Sequence, residues 1–178
     1  MGVSSDMFEK MKDFVEFGEQ DVENLKALAP TFARHGGEIT DRFYESLGRY
    51  PETAKLIEGR IDALKSTHKR WMGELFAGEY GEAYFQDRLR IGQAHVRVKL
   101  DPFFVEAVMS FLRSAGRLAI REEERDPARA AQLSTSYLKV LDLDLLVINL
   151  AYGEERLSRL TNFTGMSRPL LQRFMGMG

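Results

Sequence analysis

Three histidines and no cysteine limit the reactive chemistry available to this chain of 178 residues. The lack of cysteine excludes disulfides, thiolate nucleophiles and Cys-based zinc sites. A Glu-x-x-His site of the di-iron type is excluded as well, because Phe32, Lys65 and Gly92 occupy the positions where its glutamates would stand. The sequence also has no phosphate-binding loop, HExxH motif, GxSxG motif or EF-hand loop. The imidazoles are therefore the first groups to consider.

Each histidine has a structural interpretation beside a functional one. His35 precedes a Gly-Gly pair and is expected at the surface, near a bend. His68 lies in a basic stretch, where it is either exposed to solvent or lines the edge of a polar pocket. His95 shares an apolar helical stripe with Ile91 and Val98, so its neutral ring is either a core residue or a metal ligand.

An imidazole in apolar surroundings is suited to be the axial ligand of a haem iron. Such a ligand needs a dry pocket and a hydrogen-bond acceptor for its second ring nitrogen, which holds the ring in position. In a helix, the backbone carbonyl of Ile91, four residues before His95, is a ready acceptor.

Two hydroxyl groups interrupt apolar stripes and are candidates to face the same ligand. The Tyr44 hydroxyl either reaches the nearest backbone carbonyl, as in most buried tyrosines, or points into a ligand cavity. Thr67, on a stripe with Leu64 and Trp71, either bonds back to its own helix or adds a second hydroxyl to the cavity. The residues alone leave both choices open.

The elements that must position these groups all show helical periodicity. The patterns predict seven or eight helices with short connections and no strand. We expect them at about residues 7–15, 20–28, 31–47, 51–57, 60–76, 82–98, 102–124 and 127–159. Asp101-Pro102 and Asp126-Pro127 are strong helix starts, whereas Pro30 is expected to separate two helices.

The apolar residues after position 160 lose a clear period. We therefore predict one domain over residues 1–160, followed by a tail or linker over 161–178 towards an output domain. On the last long helix, apolar residues recur at spacings of three and four and predict one packed face. They are Leu138, Leu141, Leu145 and Ile148.

The composition is typical of a soluble globular domain, with 44% hydrophobic and 29% charged residues. The 25 basic and 27 acidic residues give a net charge of −2, which argues against a nucleic-acid partner. No apolar run approaches the ~20 residues of a membrane helix, and no signal-peptide pattern is present. We expect a cytoplasmic protein without a membrane partner.

Four stretches, in the correct order, resemble the sensor globins of the globin-coupled sensor and protoglobin group. They are FYESL at 43–47, residues 64–76 with the ending ELFAG at 74–78, RIGQAHVRV at 90–98, and LDPFF at 100–104. A helix end with Ile-x-x-x-His-x-Arg, followed by x-Pro-aromatic, is characteristic of this group. The resemblance covers about residues 16 to 153.

This resemblance implies an all-α globin fold with an extra N-terminal helix, no distinct fourth (D) helix, and seven to eight helices around a haem pocket. It implies haem b (iron protoporphyrin IX), with His95 as the proximal iron ligand. Tyr44 would donate a hydrogen bond to bound dioxygen, Thr67 would add a second distal hydroxyl, and Phe43 would pack on the haem edge.

The other expected pocket residues are Leu64, His68, Trp71, Ile91, Arg97 and Val98. Trp71 stands where the family sometimes has a histidine, so the role of that position is open. The match does not fix the partners of the haem propionates, for which the candidates are Arg97, Arg88, Lys69 and His68.

The function implied is a dioxygen sensor domain that is not itself an enzyme, with carbon monoxide and nitric oxide as further candidate ligands. Such domains form homodimers through their last two long helices and are often joined to a signalling enzyme such as a diguanylate cyclase. Two alternatives stay open. One is a haem-free globin-like signalling or interaction module, and the other is a nitric oxide dioxygenase-type globin that needs a separate reductase.

Overall fold

The computed structural model describes residues 5–176 of the chain. These residues form eight α-helices and no β-strand, which confirms the predicted all-α class and helix number. The helices are α1 (Ser5–Phe14), α2 (Glu19–Gly48), α3 (Pro51–Ile57), α4 (Ile61–Glu74), α5 (Glu82–Arg97), α6 (Pro102–Glu123), α7 (Pro127–Thr164) and α8 (Arg168–Phe174). Within residues 5–176, none of them is long and apolar enough to cross a membrane.

The two Asp-Pro helix starts are confirmed. The side chain of Asp101 accepts a hydrogen bond from the backbone nitrogen of Phe103 at 2.9 Å, and Asp126 accepts one from Ala128 at 3.0 Å. Each aspartate thus satisfies a backbone donor that a helix start leaves without a partner, and the proline after it needs none.

The predicted break at Pro30 is wrong, because α2 runs without interruption from Glu19 to Gly48. A proline inside a helix removes one backbone hydrogen bond and costs about 3 kcal/mol. Here Leu25 and Leu28 before it, and Phe32 and Ile39 after it, are all buried in the same core. Packing of this shared face outweighs the lost hydrogen bond.

The C-terminal segment is more regular than its sequence pattern predicts. Helix α7 continues to Thr164 and ends at Gly165, whose positive φ of 68° stops the helix. The short helix α8 follows, held by a buried Leu171 and by an ion pair between Arg168 and Glu154 of 2.5 Å. So few apolar residues anchor this segment that no helical period was visible.

Helix α7 is the central element, and it packs against α1, α2, α5, α6 and α8. Leu141, Leu145 and Ile148 are buried in the protein's own core, so the predicted packed face serves the fold itself. At its crossing with α5 the backbones come very close. A Cβ atom on Gly92 would lie 2.9 Å from the carbonyl oxygen of Ile148.

The extra N-terminal helix α1 packs against the outer side of this pair. Phe8 is buried and stacks with the rings of Tyr84 and Phe85 of α5 at 6.1 and 5.5 Å between ring centres. Helix α1 therefore helps to hold the helix that carries His95.

Candidate ligand cavity

A mainly apolar cavity of about 230 Å³ lies between the helices that carry His68 and His95. Every pocket residue predicted from the sequence, except Arg97, contributes to its lining: Phe43, Tyr44, Leu64, Thr67, His68, Trp71, Ile91, His95 and Val98. Arg97 is exposed and lies outside the lining. The structure therefore brings nine of the predicted residues together in one cavity wall, and their roles as a binding site stay a prediction.

His95 lies in the last turn of α5, with its ring in the cavity wall. Its Nδ1 atom is buried and has no hydrogen-bond partner among the described residues, so the expected bond to the carbonyl of Ile91 is not formed. Burial lowers the pKa of His95 to about 4. The ring is therefore neutral at pH 7, which is the form that binds metals.

His68, on α4, is the second imidazole in the cavity wall. Its Nδ1 atom lies 2.9 Å from Oγ1 of Thr40, whereas its Nε2 atom is buried and has no partner within residues 5–176. Burial lowers the pKa of His68 to about 4, so this ring is also neutral. The solvent-exposed interpretation of this residue is wrong.

Helices α2 and α4 come close together next to this contact. A Cβ atom on Gly36 would lie only 2.7 Å from Sδ of Met72. Since Gly36 and Met72 lie one turn from Thr40 and His68 respectively, the missing side chain at Gly36 brings the hydroxyl within reach of the ring. The surface bend expected at the Gly-Gly pair is absent, because α2 continues through it.

Tyr44 is buried in the cavity wall, with 8% of its surface exposed, and its hydroxyl has no hydrogen-bond partner among the described residues. Burial raises its pKa to about 12, so the hydroxyl keeps its proton. The other buried tyrosines each donate to a protein oxygen, namely Tyr80 to Leu75, Tyr84 to Asp144, Tyr137 to Leu112 and Tyr152 to Leu100. The contrast favours the interpretation in which the Tyr44 hydroxyl serves a ligand.

Thr67 lines the cavity, but its hydroxyl already donates to the backbone carbonyl of Ala63 at 3.0 Å. This is the back-bonded arrangement that is common for threonine within helices. The geometry therefore gives Thr67 no free donor, and its role as a second distal hydroxyl stays a prediction.

Within residues 5–176, Arg60 supplies a cationic side chain to the cavity wall, and it is not among the residues predicted from the sequence. It is exposed, and its guanidinium donates to the carbonyl of Leu56 at 2.8 Å. Of the earlier candidates for carboxylate partners, Lys69 is exposed outside the lining and Arg88 is fully buried in an ion-pair network. Arg88 is thus not available to an acidic group at the cavity.

Helices α3 and α6 complete the apolar wall and were missed as well. Helix α6 contributes Phe104, Val105, Val108, Met109 and Leu112, and the apolar residues from α3 are Leu56 and Ile57. The last four of the α6 positions follow the i, i+3, i+4, i+7 spacing of one helix face, so the sequence contained a signal for them. That signal alone does not tell a cavity wall from an ordinary core.

Trp71 connects the cavity to a buried polar network. It lines the cavity, and its indole nitrogen donates to Oδ2 of Asp144 at 2.7 Å. Asp144 and Arg88 are fully buried and form an ion pair of 3.0 Å, while the Tyr84 hydroxyl donates to Asp144 at 2.5 Å. Arg88 also pairs with Glu74. The network joins α4, α5 and α7.

The donor set fits a haem better than a bare metal ion. No group of three or more His, Cys, Asp or Glu residues within residues 5–176 is arranged to hold a metal. A haem brings four equatorial nitrogens of its own, so it needs only one or two axial ligands from the protein. His95 and His68 supply neutral rings with unpaired buried nitrogens, in a cavity whose walls are mainly apolar.

Comparisons with known proteins agree with this arrangement. Residues 4–158 match the protoglobin family. Among solved structures, the chain is similar to the globin domain of a Geobacter sulfurreducens globin-coupled sensor, with 32% identity, a TM-score of 0.77 and coverage of 81% of this chain and 96% of that one. It also shares its fold with the ferric globin domain of E. coli DosC, at 18% identity and a TM-score of 0.70, over 81% of this chain and 98% of that one.

Proposed function

The chain belongs to the protoglobin family, and on this premise we propose that it is a sensor globin domain that binds haem b in the cavity and dioxygen at the ferrous iron. Carbon monoxide and nitric oxide are further ligands of the same site. The observation that carries the proposal is the pair of neutral imidazoles whose buried nitrogens lack partners in one apolar cavity. An unpaired buried polar atom costs free energy, and iron bound to Nε2 of His68 would remove that cost. In His95 the unpaired atom is Nδ1, so Nε2 is the nitrogen that would bind the iron.

His95 is the proposed proximal ligand, because it lies on an apolar stripe of α5 next to a tightly packed helix crossing. The haem supplies an iron that binds diatomic gases reversibly. His68 offers a second imidazole nitrogen from α4, and Arg60 offers a positive charge to a haem propionate. The apolar walls keep water away from the bound group.

Tyr44 is the proposed donor to dioxygen. Its side chain lines the cavity, and its hydroxyl is protonated and has no acceptor among the described residues, so it donates to a ligand without first breaking a protein hydrogen bond. Dioxygen bound to ferrous iron carries more negative charge on its outer oxygen than carbon monoxide does. A donor at this place therefore favours dioxygen.

The proposed signal passes through a homodimer formed by α6 and α7, towards an output domain in a longer protein. Support comes from exposed apolar side chains on these two helices: Leu118 at 54%, Leu146 at 41%, Leu160 at 40% and Phe163 at 91%. A dimer interface would remove this apolar surface from water, which is favourable. The proposed domain is a binding and signalling module located in the cytoplasm.

An absorption spectrum of the purified protein, oxidised and reduced, tests the proposal directly. We expect a Soret band that shifts on reduction and on addition of carbon monoxide. His95→Ala should lose or alter that band, whereas His35→Ala should keep it, because His35 lies outside the cavity and contacts Glu123. A helical protein that stays colourless with added haemin would instead support the haem-free signalling module.

A further inference from the structure

Asp144 is the point at which α7 is bonded to both helices that carry cavity histidines. Three side-chain hydrogen bonds from α4 and α5 end on this α7 carboxylate. They come from Trp71 at 2.7 Å, Tyr84 at 2.5 Å and Arg88 at 3.0 Å. Asp144 is therefore in a position to respond to movement of either helix.

Full burial raises the pKa of Asp144, and the adjacent Arg88 guanidinium and the hydrogen bonds to the carboxylate oppose that rise. The indole of Trp71 and the guanidinium of Arg88 can only donate hydrogen bonds, and both donate to Oδ2. A buried ion pair of this kind contributes little net stability compared with apolar packing. The ion pair and its hydrogen bonds instead fix how α4, α5 and α7 are positioned relative to one another.

Trp71 links this carboxylate to the cavity contents. The indole lines the cavity, and its ring centre lies 5.0 Å from that of His68. A displacement of His68 would therefore change its contact with Trp71, whose N–H is bonded to α7.

The helix of His95 is fixed to α7 in two places. Tyr84 and Arg88 reach Asp144, and Gly92 crosses α7 so closely that an added Cβ atom would lie 2.7 Å from the Cβ of Ala151. His95 lies less than one turn after Gly92. A displacement of His95 is thus passed to α7 because the crossing leaves no space to absorb it.

We propose that Asp144 is a positioning residue that couples occupancy of the cavity to α7, with the Trp71 hydrogen bond as the link from α4 and the Tyr84 and Arg88 bonds as the link from α5. This inference rests on the proposed function, since it needs a ligand in the cavity. It assigns the coupling to three side-chain contacts that can be removed one at a time.

Trp71→Phe is the principal test, because it removes the N–H donor, keeps an aromatic ring at the cavity wall and leaves the Asp144–Arg88 pair intact. The measurement is amide hydrogen exchange by mass spectrometry on the haem-loaded ferrous protein, with and without carbon monoxide. We expect carbon monoxide to change exchange over residues 140–150 in the original protein. In Trp71→Phe that difference should fall by a factor of about three or more.

Tyr84→Phe removes one of the two α5 donors to Asp144 and gives a second measurement should Trp71→Phe not fold. The matched control is Tyr137→Phe, which removes a buried hydroxyl that also involves α7 but donates to Leu112 of α6 at 3.0 Å. In this control, carbon monoxide should change amide exchange over residues 140–150 as much as it does in the original protein.

The outcomes separate the inference from the proposed function. A protein that takes up no haemin overturns the proposed function and this inference with it. A haem-loaded protein whose α7 exchange does not respond to carbon monoxide, or responds equally with and without the Trp71 and Tyr84 donors, overturns the inference alone.

Discussion

The Nδ1 atom of His68 lies 2.9 Å from Oγ1 of Thr40, and the same hydroxyl donates to the carbonyl oxygen of Gly36 at 2.7 Å. Because a hydroxyl has a single hydrogen, Thr40 uses it for Gly36 and accepts the hydrogen of Nδ1. The Nε2 atom of His68 then carries a lone pair and lacks a partner. Thr40 thus holds the ring in the tautomer that can bind iron through Nε2.

The first prediction is that His68 competes with gases for the iron of the reduced protein. An internal ligand that occupies the site about 90% of the time lowers the apparent affinity for carbon monoxide about tenfold. His68→Leu should therefore raise that affinity by about this factor and convert a six-coordinate reduced spectrum to a five-coordinate one. His35→Leu is the control, and equal spectra for the original protein and His68→Leu would show that His68 does not bind the iron.

The second prediction concerns the unpaired hydroxyl of Tyr44. A hydrogen bond to a charged acceptor contributes ~1.5–3 kcal/mol, so Tyr44→Phe should raise the dioxygen dissociation rate about tenfold to a hundredfold. The dissociation rate of carbon monoxide should change much less. Stopped-flow measurements of both dissociation rates test this prediction. Equal effects on the two gases would contradict the role.

Tyr80→Phe is the matched control for this substitution. It removes a buried hydroxyl that donates to the carbonyl of Leu75 at 2.6 Å, and Tyr80 does not line the cavity. We expect it to lower the free energy of unfolding by about 1 kcal/mol and to leave both gas rates unchanged. Tyr44→Phe should instead raise the dioxygen dissociation rate and leave the free energy of unfolding nearly unchanged, since no protein hydrogen bond is lost.

The third prediction is that acid destabilises the haem-free protein between pH 6.5 and about 4. Burial lowers the pKa of both His68 and His95 from 6.5 to about 4, so in this range the unfolded chain binds more protons than the folded one. The free energy of unfolding therefore falls as the pH falls. Each histidine accounts for about 2 kcal/mol at about pH 5.

Urea unfolding at about pH 7 and about pH 5 measures this difference. His68→Leu and His95→Leu should each make it smaller, because each removes one group that must be neutral in the folded state. A difference of the same size in both variants would mean that other groups cause the acid sensitivity.

The fourth prediction is that the apolar side chains on the outer face of α7 hold the dimer. Leu146→Glu places a charge at a side chain that is 41% exposed within one chain, so it should disturb association without disturbing the core. Light scattering should then give a mass near 20.4 kDa, that of a single chain. Leu170→Glu on α8 is the control, and a dimeric Leu146→Glu protein would exclude this surface.

The helices could be predicted from the sequence because their apolar periods and Asp-Pro starts are local signals. Pro30 misled the prediction because its local cost is outweighed by packing on both sides of it, which no local pattern reveals. Helix α8 was missed for a related reason. It is held by a contact between Arg168 and Glu154, which lie on separate helices.

Many of the residues that line the cavity were predicted from the sequence. Their individual roles could not be predicted, because those roles depend on contacts between helices. His68 was ambiguous in a basic stretch, and only the bond to Thr40 on another helix shows which nitrogen is unpaired. Arg88 looked available for a carboxylate until the structure placed it against Asp144. The sequence gives no distances between helices, and these assignments rest on such distances.

Helix α7 extends well beyond the point at which Gly92 of α5 crosses it. Thirteen residues separate Ala151, at this crossing, from the helix end at Thr164, a distance of roughly 20 Å at ~1.5 Å per residue. A tilt of about 5° at the crossing would move that end by roughly 1.7 Å, which is within the range of helix shifts that switch subunit interfaces. The long arm of α7 would thus turn a small displacement beside the cavity into a larger one at Gly165.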